Sequence, residues 1–93
     1  MTNKSIQQMA AFFKVLGDPT RLRILLSLSD GEVCVSDIAA KADVSASAIS
    51  HQLRLLKSYH LVHRRKIGKA ALYSLHDEHV QEIIEKAWEH IAE

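Results

Sequence analysis

Residues 37–56 have the sequence DIAAKADVSASAISHQLRLL, which predicts two short helices joined by a tight turn. Two helices that cross closely need a small residue at their contact, and Ala39 meets that need. The turn needs a residue that tolerates left-handed backbone, a role that Asp43 fills in place of the commoner glycine. Four apolar residues are predicted to anchor the second helix on the body of the domain: Ile38, Val44, Ile49 and Leu53. The stretch therefore predicts a helix-turn-helix.

The residues before this motif predict two further helices. Apolar residues recur at helical spacing over residues 3–16, and Gly17 is a natural stop. Asp18 and Pro19 supply an N-cap and a first-turn proline for a second helix that runs through Leu28. The core candidates of this second helix are Leu22, Leu25, Leu26 and Leu28.

Two serines are predicted to cap the helices of the motif itself. Residues 32–35 read as a short extended segment, after which Ser36 caps a helix over residues 37–41. Ser45 caps the next helix, which runs to about Ser58.

After Tyr59 the hydrophobic period changes from about 3.6 to about 2. Residues 61–67 and 70–75 flank Gly68-Lys69 and predict a hairpin with a two-residue turn. Asp77 then caps a last helix that runs to the end of the chain. The order α-α-α-α-β-β-α is mainly α with a β-hairpin, and it predicts a winged helix-turn-helix in a single domain, residues 1–93.

The composition excludes several classes of protein. Hydrophobic residues at 47% and charged residues at 25% are ordinary values for a globular domain. No apolar run approaches the ~18 residues of a membrane helix, and residues 1–10 lack the apolar core of a signal peptide, so we expect a cytoplasmic protein without a membrane partner. The single cysteine excludes an internal disulfide, and no Gly-rich phosphate loop or GxSxG motif is present. We therefore expect neither an enzyme nor an organic cofactor.

The net charge of +1 conceals a strong asymmetry along the chain. Residues 1–43 are neutral overall, residues 44–76 contain no acidic residue and carry +6, and residues 77–93 carry −5. A basic block of this kind is typical of a surface that binds a polyanion, although a solvated face is the simpler interpretation.

The basic block coincides with the two elements that would meet DNA. The second helix of the motif presents short hydroxyls that allow close approach to base edges and phosphates, and the hairpin adds cations suited to the DNA backbone or minor groove. Either element alone could be merely solvated, but together they predict binding to double-stranded DNA. The candidate residues are Ser45, Ser47, Ser50, His51, Arg54, Lys57, Arg64, Arg65, Lys66 and Lys69.

The last helix has an apolar stripe that a chain of this size is not expected to cover by itself. The stripe consists of Val80, Ile83, Ile84, Ala87, Trp88 and Ile91. Small domains are marginally stable alone, and dimerisation is a common remedy. We therefore predict a homodimer formed through the N-terminal and C-terminal helices.

Four potential metal ligands flank this stripe, namely Asp77, His79, His90 and Glu93. His79 and His90 share a helix face but lie about 16 Å apart along the axis, too far to hold one ion. An antiparallel pair of these helices has one register that closes the apolar stripe and sets Asp77 and His79 beside His90 and Glu93 of the partner subunit, giving two sites per dimer. Two imidazoles and two carboxylates suit Zn²⁺ or Co²⁺. The alternative is that Asp77 is only an N-cap and the other three are solvated.

Four segments together resemble the ArsR/SmtB family of bacterial metal-sensing repressors. They are LGDPTRLRILLSL (16–28), EVCVSDIA (32–39), VSASAISHQLRLLKSYHLV (44–62) and ALYSLHDEH (71–79). The resemblance covers nearly the whole chain, from about Phe12 to Glu93.

This resemblance implies a homodimer that binds operator DNA when metal-free and releases it on binding metal, which derepresses genes for metal efflux or sequestration. It implies that Ser47, Ser50 and His51 lie nearest the DNA. It also implies a zinc site between subunits in which a ligand histidine, for which we nominate His90, is hydrogen-bonded toward the DNA-reading region. The ligands matched by the resemblance are Asp77, His79, His90 and Glu93.

Cys34 and Asp37 match a second metal site of such proteins, in which thiolates of the segment EVCVSDIA bind soft metals. Ser36 replaces a possible second thiol, and the first ten residues contain neither Cys nor His, so this site looks incomplete and vestigial. The alternative function is a metal-independent, thiol-redox-responsive repressor that senses oxidants through Cys34. Three other histidines have no partner at the spacing of metal ligands and are interpreted as surface or hairpin residues: His60, His63 and His76.

Overall fold

The computed structural model describes residues 1–93 and has five helices and one small sheet. In chain order the elements are α1 (Asn3–Leu16), α2 (Pro19–Ser27), β1 (Val33–Cys34), α3 (Val35–Ala42), α4 (Ala46–Ser58), β2 (Val62–Ile67), β3 (Ala70–Leu75) and α5 (Glu78–Ile91). This is the predicted winged helix-turn-helix. No helix of the chain is both long and apolar enough to cross a bilayer.

Local capping signals place the predicted helices almost to the residue. The Asp18 carboxylate accepts a hydrogen bond from the backbone N–H of Arg21 at 3.0 Å, and the Ser45 hydroxyl accepts one from Ala48 at 3.3 Å. Asp43 has φ 57°, the left-handed conformation that the turn between α3 and α4 requires, and its N–H donates to the carbonyl of Ala39. The predicted chemistry of this turn is confirmed.

The prediction for the start of α3 is wrong. The helix begins at Val35 rather than at Asp37, and the residue at its N-cap position is Cys34, which makes no side-chain capping bond. Ser36 therefore lies inside the first turn, where its hydroxyl is 3.3 Å from the Cys34 Sγ. Because β1 is paired only through Val33 and Cys34, the chain becomes helical as soon as this pairing ends.

The wing is a three-stranded antiparallel sheet with the order β1-β3-β2, one strand more than the predicted hairpin. β2 and β3 pair from Val62 opposite Leu75 to Ile67 opposite Ala70, as predicted. Gly68 has φ 57° at the first position of the two-residue turn, which favours glycine there.

The core contains fourteen buried residues, all of them hydrophobic, and lies between α2, α3, α4 and the start of the hairpin. One prediction for α2 is wrong, because Leu26 is exposed and Ile24 is fully buried instead. Ile24 and Leu25 of this nine-residue helix and its C-cap residue Leu28 face the core, whereas Leu22 and Leu26 lie one turn apart on the side toward α5. Ile38, Ile49 and Leu53 are buried as predicted, while Val44 is only half-buried.

Candidate nucleic-acid interface and metal-ligand positions

Helix α4 has one fully buried face and one fully exposed face. Ile49, Leu53 and Leu56 have no solvent exposure and fix the helix on the core. All five predicted DNA-reading residues on the other side are exposed: Ser45, Ser47, Ser50, His51 and Arg54. The structure therefore brings these side chains onto one accessible surface.

The hydroxyls of this surface already have local partners. Ser45 caps the helix and its Oγ lies 3.4 Å from that of Ser47, while Ser50 donates to the carbonyl of Ala46 at 3.2 Å. Each hydroxyl still has hydrogen-bonding capacity that faces solvent. The helix N-terminus with its free N–H groups also favours a phosphate.

A hydrogen bond between α2 and α4 was not predicted from the sequence. The Arg21 Nε donates to the Gln52 Oε1 at 3.0 Å, and its Nη1 donates to the carbonyl of Val15 at 3.5 Å. Arg21 thus ties α4 to α2 and to the end of α1. The two bonded side chains are 31 residues apart, so no local pattern could have found the contact.

The cations of the wing differ in their surroundings. Arg65 makes a two-pronged ion pair with Glu32, with both nitrogen–oxygen distances at 2.7 Å. Its hydrogen bond lowers the pKa of the Glu32 carboxyl, and the same bond raises the pKa of Arg65. Arg64 and Lys66 point to the opposite side of the strand, and neither forms an ion pair.

The two wing faces therefore differ in free positive charge. Glu32 lies outside the acid-free block in sequence but neutralises Arg65 within it. Within residues 44–76, the exposed cations without an acidic partner are Arg54, Lys57, Arg64, Lys66 and Lys69.

The four candidate metal ligands form two pairs at opposite ends of α5. At the start, the Asp77 carboxylate accepts from the backbone N–H of His79 at 3.0 Å and lies 3.4 Å from its Nδ1. At the end, the Nδ1 of His90 lies 3.8 Å from a carboxylate oxygen of Glu93. All four side chains are exposed, and no group of three or more potential ligands comes together within one chain.

An apolar groove of about 630 Å³ runs between α1, α2 and α5. Its walls leave large side chains in solvent, since Phe13 is 54%, Trp88 66% and Ile91 72% exposed. The residues that line it are Phe13, Leu16, Gly17, Leu22, Leu26, Ile83, Ile84, Glu85, Ala87, Trp88 and Ile91. The last part of the apolar stripe of α5, namely Ala87, Trp88 and Ile91, thus remains exposed in the single chain.

The other predicted positions are less organised. Cys34 is half-buried with only the Ser36 hydroxyl beside it, and Asp37 is exposed. His60, His63 and His76 are exposed, as predicted. The rings of His60 and His76 are in edge-to-face contact with centroids 5.5 Å apart.

Comparison with known proteins places this fold among bacterial regulators. Residues 18–64 match the model of the arsR family of bacterial regulatory proteins. The chain is 46% identical over 93 residues to a transcriptional repressor SmtB homologue of Synechocystis, covering all of this chain and 70% of that protein. It is 43% identical over 91 residues to a cadmium resistance transcriptional regulatory protein CadC homologue of Staphylococcus aureus, covering 97% of this chain and 75% of that one.

Among solved structures, the chain resembles the homodimeric winged helix-turn-helix DNA-binding domain Mb0332 from Mycobacterium bovis. The TM-score is 0.77 at 29% identity, covering 97% of this chain and 93% of the other. The family match spans the helix-turn-helix and the start of the wing, and the sequence identity extends from end to end of the chain. The chain therefore belongs to the arsR family of bacterial regulatory proteins.

Proposed function

We propose that the chain is a homodimeric, metal-responsive transcriptional repressor whose metal-free dimer binds operator DNA and whose effector is Zn²⁺. The observation that carries this proposal is the arrangement of α5, in which an Asp–His pair and a His–Glu pair stand at opposite ends of an uncovered apolar face. Each pair is half of a four-ligand set, and the apolar face between them is half of an interface.

A dimer would bring the two donor pairs together and would cover the apolar face of α5. In an antiparallel pairing of two α5 helices, Val80 lies opposite Ile91 of the partner subunit while the two donor pairs meet at both ends. The groove beside α5 then receives the second copy, which would cover Trp88. The homodimeric Mb0332 domain has the same fold, and a two-fold axis produces two equivalent metal sites.

The donor set fits zinc. The site would be formed by Asp77 and His79 of one protomer with His90 and Glu93 of the partner subunit. Nitrogen and oxygen donors in a four-ligand set are typical of Zn²⁺, and Co²⁺ is expected to bind as well. The names of the two curated relatives, an SmtB homologue and a cadmium resistance regulator, support a metal effector.

DNA binding is assigned to the exposed face of α4 and to the free cations of the wing. The exposed Ser47, Ser50 and His51 would read base edges, and the exposed Arg64, Lys66 and Lys69 would contact phosphates. Metal binding that fixes the two α5 helices changes how the two α4 helices are presented. Zinc and operator then weaken each other's binding by the same factor.

The experiment begins with an operator selected from a random pool of double-stranded DNA by the metal-free protein. Affinity for this DNA is then measured by fluorescence anisotropy at fixed salt, with Zn²⁺ and with a chelator. Zinc should weaken binding by about 5–150-fold, the usual range of an allosteric coupling. An affinity that saturating zinc leaves unchanged contradicts the regulatory proposal.

Two variants on α5 distinguish a proposed metal ligand from another polar residue of the same helix. His79→Ala should bind operator as tightly as the parent without responding to zinc, because it removes a ligand and leaves α4 intact. Glu82→Gln changes an exposed acid of the same helix that belongs to neither donor pair, and it should keep the full response. If both variants respond alike, Asp77 and His79 are not the ligands.

A further inference from the structure

We propose that His60 and His76 form a binding site for a late first-row transition-metal ion at the base of the wing. We expect Cu²⁺ to be the ion that binds most tightly. His60 follows the end of α4, and His76 follows the end of β3. Their rings are in contact, with centroids 5.5 Å apart and planes inclined by 60°. The site shares no residue with the two donor pairs of α5, although His76 directly precedes Asp77, and the proposal does not depend on the function proposed above.

The backbone holds the two rings together. His76 donates its N–H to the carbonyl of Leu61 at 3.0 Å, and Leu61 donates its own N–H to the carbonyl of Leu56 at 3.0 Å. Leu61 and Val62 are both buried in the core directly after His60. The start and the end of the hairpin are therefore fixed against each other, and so are the Cα positions that carry the rings.

The distance between the rings suits one shared ion. A metal bound to a ring nitrogen at about 2.0–2.1 Å lies about 3.2 Å from the ring centroid. Two imidazoles on one ion then have centroids about 4.5 Å apart for a right-angled pair, about 5.2 Å for a tetrahedral pair and about 6.4 Å for a linear pair. The observed 5.5 Å falls inside this range.

Both rings are free to turn their nitrogens toward an ion. His60 and His76 are exposed, and the χ2 torsion of histidine is broad, so the backbone need not move. His60 itself has φ 57°, a left-handed conformation in which histidine is one of the better-tolerated residues after glycine. This conformation turns the chain from α4 back toward the hairpin and brings the ring over His76.

The chemistry selects the class of metal. Neutral imidazole suits copper, nickel and zinc. For a given nitrogen site, the affinity for divalent first-row metals rises from Mn²⁺ to a maximum at Cu²⁺ and is lower again at Zn²⁺. Two protein ligands leave the other coordination positions to water. A metal here would join the exit of the DNA-facing helix to the entry of α5.

The test uses the full chain carrying His79→Ala and His90→Ala, which removes both α5 imidazoles. Cu²⁺ is titrated into this protein at neutral pH while the ring signals of the remaining histidines are followed by NMR. The signals of His60 and His76 should broaden together and before those of His51 and His63. Broadening that begins at other histidines, or at only one of the pair, overturns the proposal.

Affinity measurements on the same background give the second readout. Loss of an outer-shell partner alone weakens metal binding by about 10–100-fold, so His76→Ala should weaken Cu²⁺ binding by about tenfold or more. His60→Asn should do the same, since asparagine also tolerates the left-handed backbone and leaves the fold intact. His63→Ala removes a neighbouring exposed histidine of the wing and should leave the affinity unchanged. Copper affinity that survives both His60→Asn and His76→Ala shows that the rings are in contact without sharing an ion, and it overturns the proposal.

Discussion

Helices α4 and α5 are almost equal in length, with 13 and 14 residues, but only α4 has its apolar face covered within a single chain. The apolar face of α4 is closed by the chain's own core, in which Ile49, Leu53 and Leu56 have no exposure. Helix α5 buries only Val80 and leaves Trp88 66% exposed.

The same contrast holds for the polar chemistry of the two helices. The face of α4 that would meet DNA is assembled within one chain, and Arg21 holds it in place through Gln52. The candidate donors of α5 stand as two separate pairs at the two ends of the helix. The surface proposed to bind DNA is thus complete within one chain, whereas the proposed metal site would need a second copy.

The largest expected effect is on the completed helix. Leu53→Ala should destabilise the domain by about 2–5 kcal/mol, because it removes a fully buried side chain and leaves a cavity. Urea unfolding at protein concentrations low enough for the chain to be monomeric measures this. Ile91→Ala is the matched truncation on α5, where the side chain is 72% exposed, and should change stability by less than about 0.5 kcal/mol. Equal losses would show that the contrast between the helices is false.

The next effect is on association. Trp88→Ala should weaken the dimer by about 2 kcal/mol or more for each copy of the residue, because a large aromatic side chain at the centre of an interface is a typical hot spot. Because a two-fold symmetric dimer loses two copies of the side chain, the free energy of association should weaken by about 4 kcal/mol. The dissociation constant should therefore rise by roughly a thousandfold. Sedimentation equilibrium measures it. Ile67→Ala removes an exposed apolar residue from the wing, outside the groove, and should leave the dimer intact.

Local signals account for what the sequence predicted well. Ser45 at the start of α4 and Gly68 in the hairpin turn are short-range signals, and the elements that they delimit lie within one residue of the predicted bounds. The Asp77–His79 and His90–Glu93 contacts join residues two and three positions apart on one helix. The sequence could therefore identify these pairs as units, whereas their union across a dimer stays a prediction.

Long-range contacts account for the errors. The pairing of β1 with β3 sets where α3 begins, and Ser36 alone carries no sign of it. In α2 the apolar residues form two faces, and only the tertiary packing decides that Ile24 rather than Leu26 lies in the core. The ion pair between Glu32 and Arg65 spans 33 residues, so the sequence alone does not distinguish Arg65 from the other candidate DNA-binding cations.

A third, smaller effect tests which cations of the finished surface meet DNA. Arg64→Ala should lower the slope of log affinity against log salt by about one, because one phosphate contact and its released counterion are lost. Arg65→Ala should lower it less, since its guanidinium is already neutralised by Glu32. Anisotropy titrations on the selected operator at several salt concentrations give both slopes. Glu32→Gln frees Arg65 and should steepen the slope, so a slope no steeper than that of the parent would place Arg65 away from the DNA.

The smallest expected effect is the pH dependence of the same ion pair. Because the Arg65 hydrogen bond lowers the pKa of the Glu32 carboxyl from its ordinary value of 4.5, the ionised form stabilises the folded chain above that value. This contribution is lost as the pH falls through the lowered pKa of the folded state. Urea midpoints of the parent should therefore fall more steeply between about pH 6 and about pH 3 than those of Glu32→Gln. Asp30→Asn removes an exposed acid two residues away that has no ion pair, and its urea midpoints should depend on pH as those of the parent do.

The ion pair joins Glu32, directly before β1, to Arg65 of β2, and both residues belong to one chain. Its pH dependence should therefore be the same at concentrations that favour the monomer and at those that favour the dimer. A pH dependence that changes with protein concentration would mean that dimerisation through α5 alters the wing. The two regions would then not be independent of each other.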